Sequence, residues 1–275
     1  MTAIRSDVGR LFKTELTLQY RNGLYLVYLV LTGFFLTVIA LVPPHARGTA
    51  LEVVILLDPT FIGFFFAGGL VLLEREQGIL PVVATTAGTF TTYARPKVIA
   101  LIILAASVAT LLLTAATLLG YVRPSVAGVV RLVVGLSLAI PVFFNLGVVM
   151  AAWKPRVIEY FVYASFALLP LMIPLGEVVG VSTGPVGKLS PVWGAMILIT
   201  SIFADRGDPL LILGAVGNLL VWNALSARWA SRAFYFLAEN RDRTVGSGSA
   251  TQARRRLRPP LSGTAVDVRL MVRDP

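Results

Sequence analysis

Apolar residues in this chain do not alternate with polar ones; they run together. Six runs are each long enough to cross roughly 30 Å of hydrocarbon: residues 24–42, 53–73, 98–122, 132–152, 157–181 and 210–227. Turn-forming residues separate several of them, as at Pro43-Pro44, Arg123-Pro124 and Lys154-Pro155. A backbone in lipid must bond its polar groups internally, and period-two alternation is missing, so the runs predict helices rather than a barrel. A seventh run, residues 189–204, opens at Ser190-Pro191 and closes at Asp205-Arg206. It is short for a span and predicts a re-entrant element or short helix between the fifth and sixth spans. Residues 3–20 set Ile4, Val8, Leu11, Phe12 and Leu18 on one helical face, with Arg5, Asp7, Arg10, Lys13 and Thr17 around the rest. That pattern predicts a helix lying in the membrane interface. No signal-peptide pattern precedes the run at 24–42, which is therefore expected to stay as a span.

The expected fold class is an all-α membrane protein with six transmembrane helices and an N-terminal interfacial helix. Composition agrees: 56% of residues are hydrophobic and 14% charged, against about one quarter charged in soluble domains. The net charge of +10 would point to nucleic acid in a soluble domain, but here the basic residues lie between and after apolar runs. With six spans the termini share one side. Of 24 Lys+Arg, only Arg47, Arg123, Arg131, Lys188 and Arg206 then fall on the other. This bias puts both termini in the cytoplasm of a plasma-membrane protein. A seventh span would send the Arg-rich tail outside. From Thr244 the chain is rich in Gly, Ser, Arg and Pro, with Arg254-Arg255-Arg256 and Arg258. We divide it into a permease domain, 1–243, and a basic disordered tail, 244–275. The tail fits a solvated topology determinant or a hold on anionic lipid or a partner.

Several classes of chemistry are excluded. Cysteine is absent and His45 is the single histidine, so cysteine metal sites, thiol catalysis and His-Glu-x-x-His helices are missing. No phosphate loop is present, so any ATP, with its Mg, is bound and hydrolysed on another chain. No cofactor, metal or catalytic residue is expected on this one.

Ionisable and polar residues inside spans are rare, and each is a candidate. Asp58 precedes Pro59 and could cap a helix segment or meet substrate. Glu177, beyond Pro170 and Pro174, fits exposure to outer water or a gate. Asn145 fits an interhelical hydrogen bond or a substrate contact. Phe61, Phe64, Phe65, Phe66, Phe166 and Met172 would line a pathway for hydrophobic or amphiphilic compounds, or pack as core or lipid-facing residues. Gly63, Gly68, Gly69, Gly135/Ala139, Gly147/Ala151 and Gly214/Asn218 mark close helix approach.

The segment that meets a water-soluble partner is expected at 74–97. Glu74-Arg75-Glu76 follows the second run, and Ile79, Leu80, Val82 and Val83 follow Gly78. Tyr93, Arg95 and Lys97 re-anchor the chain. A minimal connector would not need so long a segment with an apolar face.

The stretch LLEREQGIL at 72–80, the pair Thr85-Thr86 and TFTTYARPK at 89–97 resemble the cytoplasmic loop of type-2 ABC exporter permeases, relatives of the ABCG half-transporters. Pro81 departs from the family pattern, which continues there with a helix-forming residue. The resemblance implies a cytoplasmic coupling helix between spans two and three, and two permeases, identical or paralogous, assembled with two ATPase subunits. It assigns Glu74, Arg75, Glu76, Gly78, Ile79, Leu80, Val82 and Val83 to ATPase coupling; the aromatic pathway residues favour drugs, antibiotics or lipid-like molecules as cargo over polysaccharide. The alternatives are a stand-alone ion-coupled carrier or channel, and a membrane anchor.

Overall fold

The computed structural model describes residues 17, 24–80, 82, 89–154, 156–178, 180–202 and 208–256, and the side chains of 24, 25, 27, 28, 58–62 and 238–256 lie outside that set. The interfacial helix expected at 3–20 therefore falls outside the described residues, Thr17 apart. Among the described residues every regular element is helical. In chain order the helices are α1 (Leu24–Leu41), α2 (Arg47–Phe61), α3 (Ala67–Glu76), α4 (Phe90–Leu118), α5 (Val126–Trp153), α6 (Val157–Leu171), α7 (Leu175–Val178), α8 (Gly184–Leu189), α9 (Pro191–Thr200) and α10 (Pro209–Arg256). Among the described residues three helical stretches are long and apolar enough to cross a membrane: Phe90–Leu118, Val126–Trp153 and Pro209–Leu237. The chain divides into two compact units, Met1–Ala238 and Glu239–Pro275.

Three boundaries in particular differ from those read from hydropathy. The second helical passage starts at Arg47, ahead of residue 53. The Arg47 guanidinium donates to the carbonyls of Val42 and Ala40, each at 3.1 Å, and so satisfies the open end of α1. The passage then runs as α helix through Pro59. It widens into a π segment at Ile62–Phe66 before α3. Asp58 thus lies inside a continuous helix, not at a helix start. α4 begins at Phe90 rather than 98 because Thr89 caps it, its hydroxyl accepting from the Thr92 amide at 3.3 Å. α6 stops at Leu171, well short of 181: Pro174 cannot donate to a continuing ladder, so the helix breaks there.

α5 is the hub of the bundle, packing against α9, α3, α4, α2, α6 and the π segment. Its carbonyls and amides also meet a polar stripe on α10. Asn145 donates to the Ser226 hydroxyl at 3.2 Å, and Asn223 donates to the Leu138 carbonyl at 2.8 Å. On the same helix, Asn218 and Trp222 donate to the Lys188 and Leu189 carbonyls at the end of α8. Each such bond contributes about 0.6 kcal/mol in a bilayer, and together they fix the register of α10. α9 is buried along most of its length. At 1.5 Å per residue it spans about 15 Å, half of what a bilayer crossing needs.

Candidate functional site

The segment at 74–97 is less a loop than the meeting of two helix ends. α3 runs through Glu74-Arg75-Glu76 and ends because Gly78 takes φ +76°, a conformation that glycine adopts at little cost. Lys97, one and a half turns or more into α4, then points back at α3. Its ammonium lies 2.7 Å from one Glu74 carboxylate oxygen, while the Tyr93 hydroxyl donates to the other at 2.5 Å. Both charged side chains are largely buried, 8% and 13% exposed, so the pair is shielded from salt. Tyr93 and Phe90 also pack on Phe234 of α10, with ring centroids 4.9 and 5.5 Å apart. Three helices are thereby tied at one end of the bundle.

Of the coupling residues expected here, Glu74 is committed to this clamp. Arg75 is half-buried and Glu76 exposed. Leu80 is fully buried in the core, whereas Ile79 and Val82 stand exposed beside it. Val83, Thr85 and Thr86 lie outside the described residues.

The described members of the expected pathway set fall in separate places. The side chains of Asp58 and Phe61 lie outside the described set. Phe65 stacks on Phe161 of α6 at 5.9 Å, Asn145 is held by Ser226, and Phe166 is exposed. Met172 ends α6, and Glu177 accepts from the Thr183 hydroxyl. A cavity of about 1170 Å³ opens between α5, α6 and α10; Phe64 lines it, and Phe65, Asn145, Phe166, Met172 and Glu177 do not.

The π segment is the other special feature. Gly63, Gly68 and Gly147 bring α5 and α6 onto it. A Cβ at Gly63 would lie 2.8 Å from Phe143 Cβ, and one at Gly147 would run into the Phe64 carbonyl oxygen. Tyr160 lies across Gly68 and donates to that same oxygen at 2.5 Å. Sequence reading found the glycines but not Tyr160, and it marked Asn218 only for close helix approach, without the polar stripe it forms with Trp222, Asn223 and Ser226. Their signal was available in the near-helical spacing of polar residues within the sixth apolar run.

A bundle of apolar helices, three of them among the described residues long and apolar enough to cross a membrane, closed by buried polar ties, is the build of a membrane protein. Residues 6–239 match the model of the fluoroquinolones export permease protein family, and the chain belongs to that family. Two proteins named fluoroquinolones export permease protein, from Mycobacterium tuberculosis strains CDC 1551 / Oshkosh and H37Rv, are each 32% identical to it over 197 residues. The match covers 70% of this chain and 78% of each relative. The chain is thus a membrane permease of an export system, and a stand-alone carrier or channel is disfavoured.

Proposed function

We propose that this permease is the membrane half of an ATP-driven exporter whose ATPase is carried on separate chains. The observation that carries this reading is the family match over residues 6–239 in a chain that has no phosphate loop of its own. Two ATPase subunits, holding the ATP and Mg, would assemble with two permeases. The contact would fall on Glu76, Ile79 and Val82, beside the Glu74–Lys97 clamp. ATP binding favours one arrangement of the ATPase pair, and the clamp transmits that bias to α3 and α4 together. The cargo is hydrophobic or amphiphilic, with the fluoroquinolones of the relatives' names as its first candidate class.

The supporting topology has six spans, 24–41, 47–76, α4, α5, α6 and the first part of α10, with both termini cytoplasmic in the plasma membrane. Residues 189–204 then re-enter from the outer face. In support, the Ile202 carbonyl accepts from the Ser125 amide at 3.4 Å at the start of α5, while the end of α8 meets Asn218 deeper along α10. Residues 244–275 act as a cytoplasmic tail.

The test is co-purification of the tagged permease from detergent-solubilised membranes of its host, with mass spectrometry of what accompanies it. A soluble chain with a phosphate loop, recovered in stoichiometric amount, is the expected result. Recovery of the permease alone, still folded and without ATPase, would overturn the assignment.

A further inference from the structure

The cavity between α5, α6 and α10 has a composition that selects a ligand. Its walls are apolar, from Leu146, Val149 and Met150 on α5 to Pro170 and Leu171 on α6 and Phe236 on α10. Two cations also line it, Lys154 just past the end of α5 and Arg232 on α10. Among the described residues neither is paired with a carboxylate. The Lys154 ammonium sits 3.5 Å from the centre of the Tyr163 ring, and the nearby Glu159 is engaged by Arg156 at 3.3 Å. An aromatic face holds a cation without neutralising it. Two indoles, Trp153 and Trp229, complete the lining, and Trp229 is held edge-on against Trp222 at 6.2 Å.

We infer that this cavity binds an amphiphile with an apolar, preferably aromatic, body and a single anionic group. The body fills the walls and stacks on the indoles, and the anion meets Lys154 and Arg232. Pockets for drug-sized ligands run to about 300–1,000 Å³, so the volume is ample for one. The cations lie at the bundle end that also holds the end of α3 and the start of α4. On the export reading, on which this inference rests for its direction, that end is cytoplasmic, and the cavity receives cargo from the inner leaflet. The same chemistry is offered by a free organic anion and by an anionic lipid headgroup with its chains.

The full chain in zwitterionic phosphatidylcholine nanodiscs separates these cases. Two fluorescent probes share one scaffold: anilinonaphthalene sulfonate is anionic and N-phenylnaphthylamine is neutral. After subtraction of empty-nanodisc signal, the sulfonate should bind saturably and at least about tenfold more tightly, the size of one charge-assisted contact. The double variant K154Q/R232Q should erase that preference and leave binding of the neutral probe unchanged. If the double variant loses both probes, K154R/R232K decides, since it keeps the charges: retained preference supports the site. Phosphatidylglycerol that displaces the sulfonate competitively identifies a lipid headgroup as the source; no displacement identifies a free amphiphile. Equal affinity of the two probes in the wild type overturns the site. So does the absence of saturable binding, a preference that survives K154Q/R232Q, or one lost in K154R/R232K. No ATPase enters the assay, so failure to recover an ATPase partner would not alter its outcome.

Discussion

The Tyr160 hydroxyl donates to the Phe64 carbonyl at 2.5 Å, joining α6 to the π segment that interrupts the second helical passage. A π turn widens the helix and weakens the alignment of its carbonyls with the amides of the next turn, so an outside donor stabilises it. The tyrosine ring reaches that carbonyl because Gly68 leaves room for it. The bond and the glycine are therefore one device.

Tyr160→Phe removes the donor and keeps the ring on Gly68. The unfolding free energy in detergent should fall by about 1 kcal/mol, within the range of buried hydrogen bonds between membrane helices. Equilibrium unfolding in mixed micelles reads this directly. Unchanged stability would mean that the carbonyl finds another donor at no cost.

Gly147→Ala should cost more. Its Cβ falls on the same Phe64 carbonyl, which belongs to a backbone that cannot rotate away. Overpacking of this kind costs about 1–3 kcal/mol, and the bond from Tyr160 would be disturbed as well. Gly217→Ala is the control: nothing lies within 4 Å of where its Cβ would sit, and it should be neutral or slightly stabilising. Thermal unfolding of the two variants side by side separates packing from helix propensity.

The Glu74–Lys97 pair makes a third case. Lys97→Met leaves the Glu74 carboxylate in a largely buried place with only the Tyr93 hydroxyl as a described partner. Removing one member of a fully buried pair costs about 3–5 kcal/mol, and we expect about 2 here because the pair lies at the bundle end near water. Glu74→Gln/Lys97→Met removes both charges and should recover at least half of that loss. A double-mutant cycle measures the coupling, and additive effects would show that the two groups do not stabilise each other.

What sequence made legible was the scale at which hydrophobicity works. Runs of apolar residues located the long helices, and Gly63, Gly68, Gly135 and Gly147 marked some of the close contacts, whereas the equally tight ones at Gly128 and Gly194 went unmarked. Helix ends were misjudged wherever a side chain decided them. Thr89 starts α4 early through one hydroxyl, and Pro174 ends α6 within an unbroken apolar run. The clamp was half visible: Glu74, Tyr93 and Lys97 were singled out, but for separate roles, because nothing in a linear pattern says that the two helix ends fold back on each other. Leu80 looked like its exposed neighbours because a short apolar patch carries no periodicity that separates inward from outward. Lys154 and Arg232 are far apart in the chain, and only the fold places both on one cavity.

The exposed patch after Gly78 gives the last prediction. Ile79 and Val82 are 42% and 60% exposed, while Leu80 between them is 0% exposed. Leu80→Ala should therefore act on folding, costing about 2–5 kcal/mol as a buried leucine truncation. Glu76→Ala, Ile79→Ala and Val82→Ala combined should leave the thermal transition where it is. If this patch seats the ATPase, the triple variant removes contacts of the size of an interface hot spot and weakens the complex by at least about tenfold. Reconstituted vesicles containing the permease and the recovered ATPase should then show ATP turnover that no longer responds to the permease, with the isolated ATPase unaffected. Turnover and complex formation equal to wild type in the triple variant would remove residues 76–82 from the contact. A shifted thermal transition would instead show that Ile79 and Val82 support the fold as Leu80 does. Ile79 and Val82 are aliphatic like Leu80 and differ from it in exposure, so the comparison separates docking from stability.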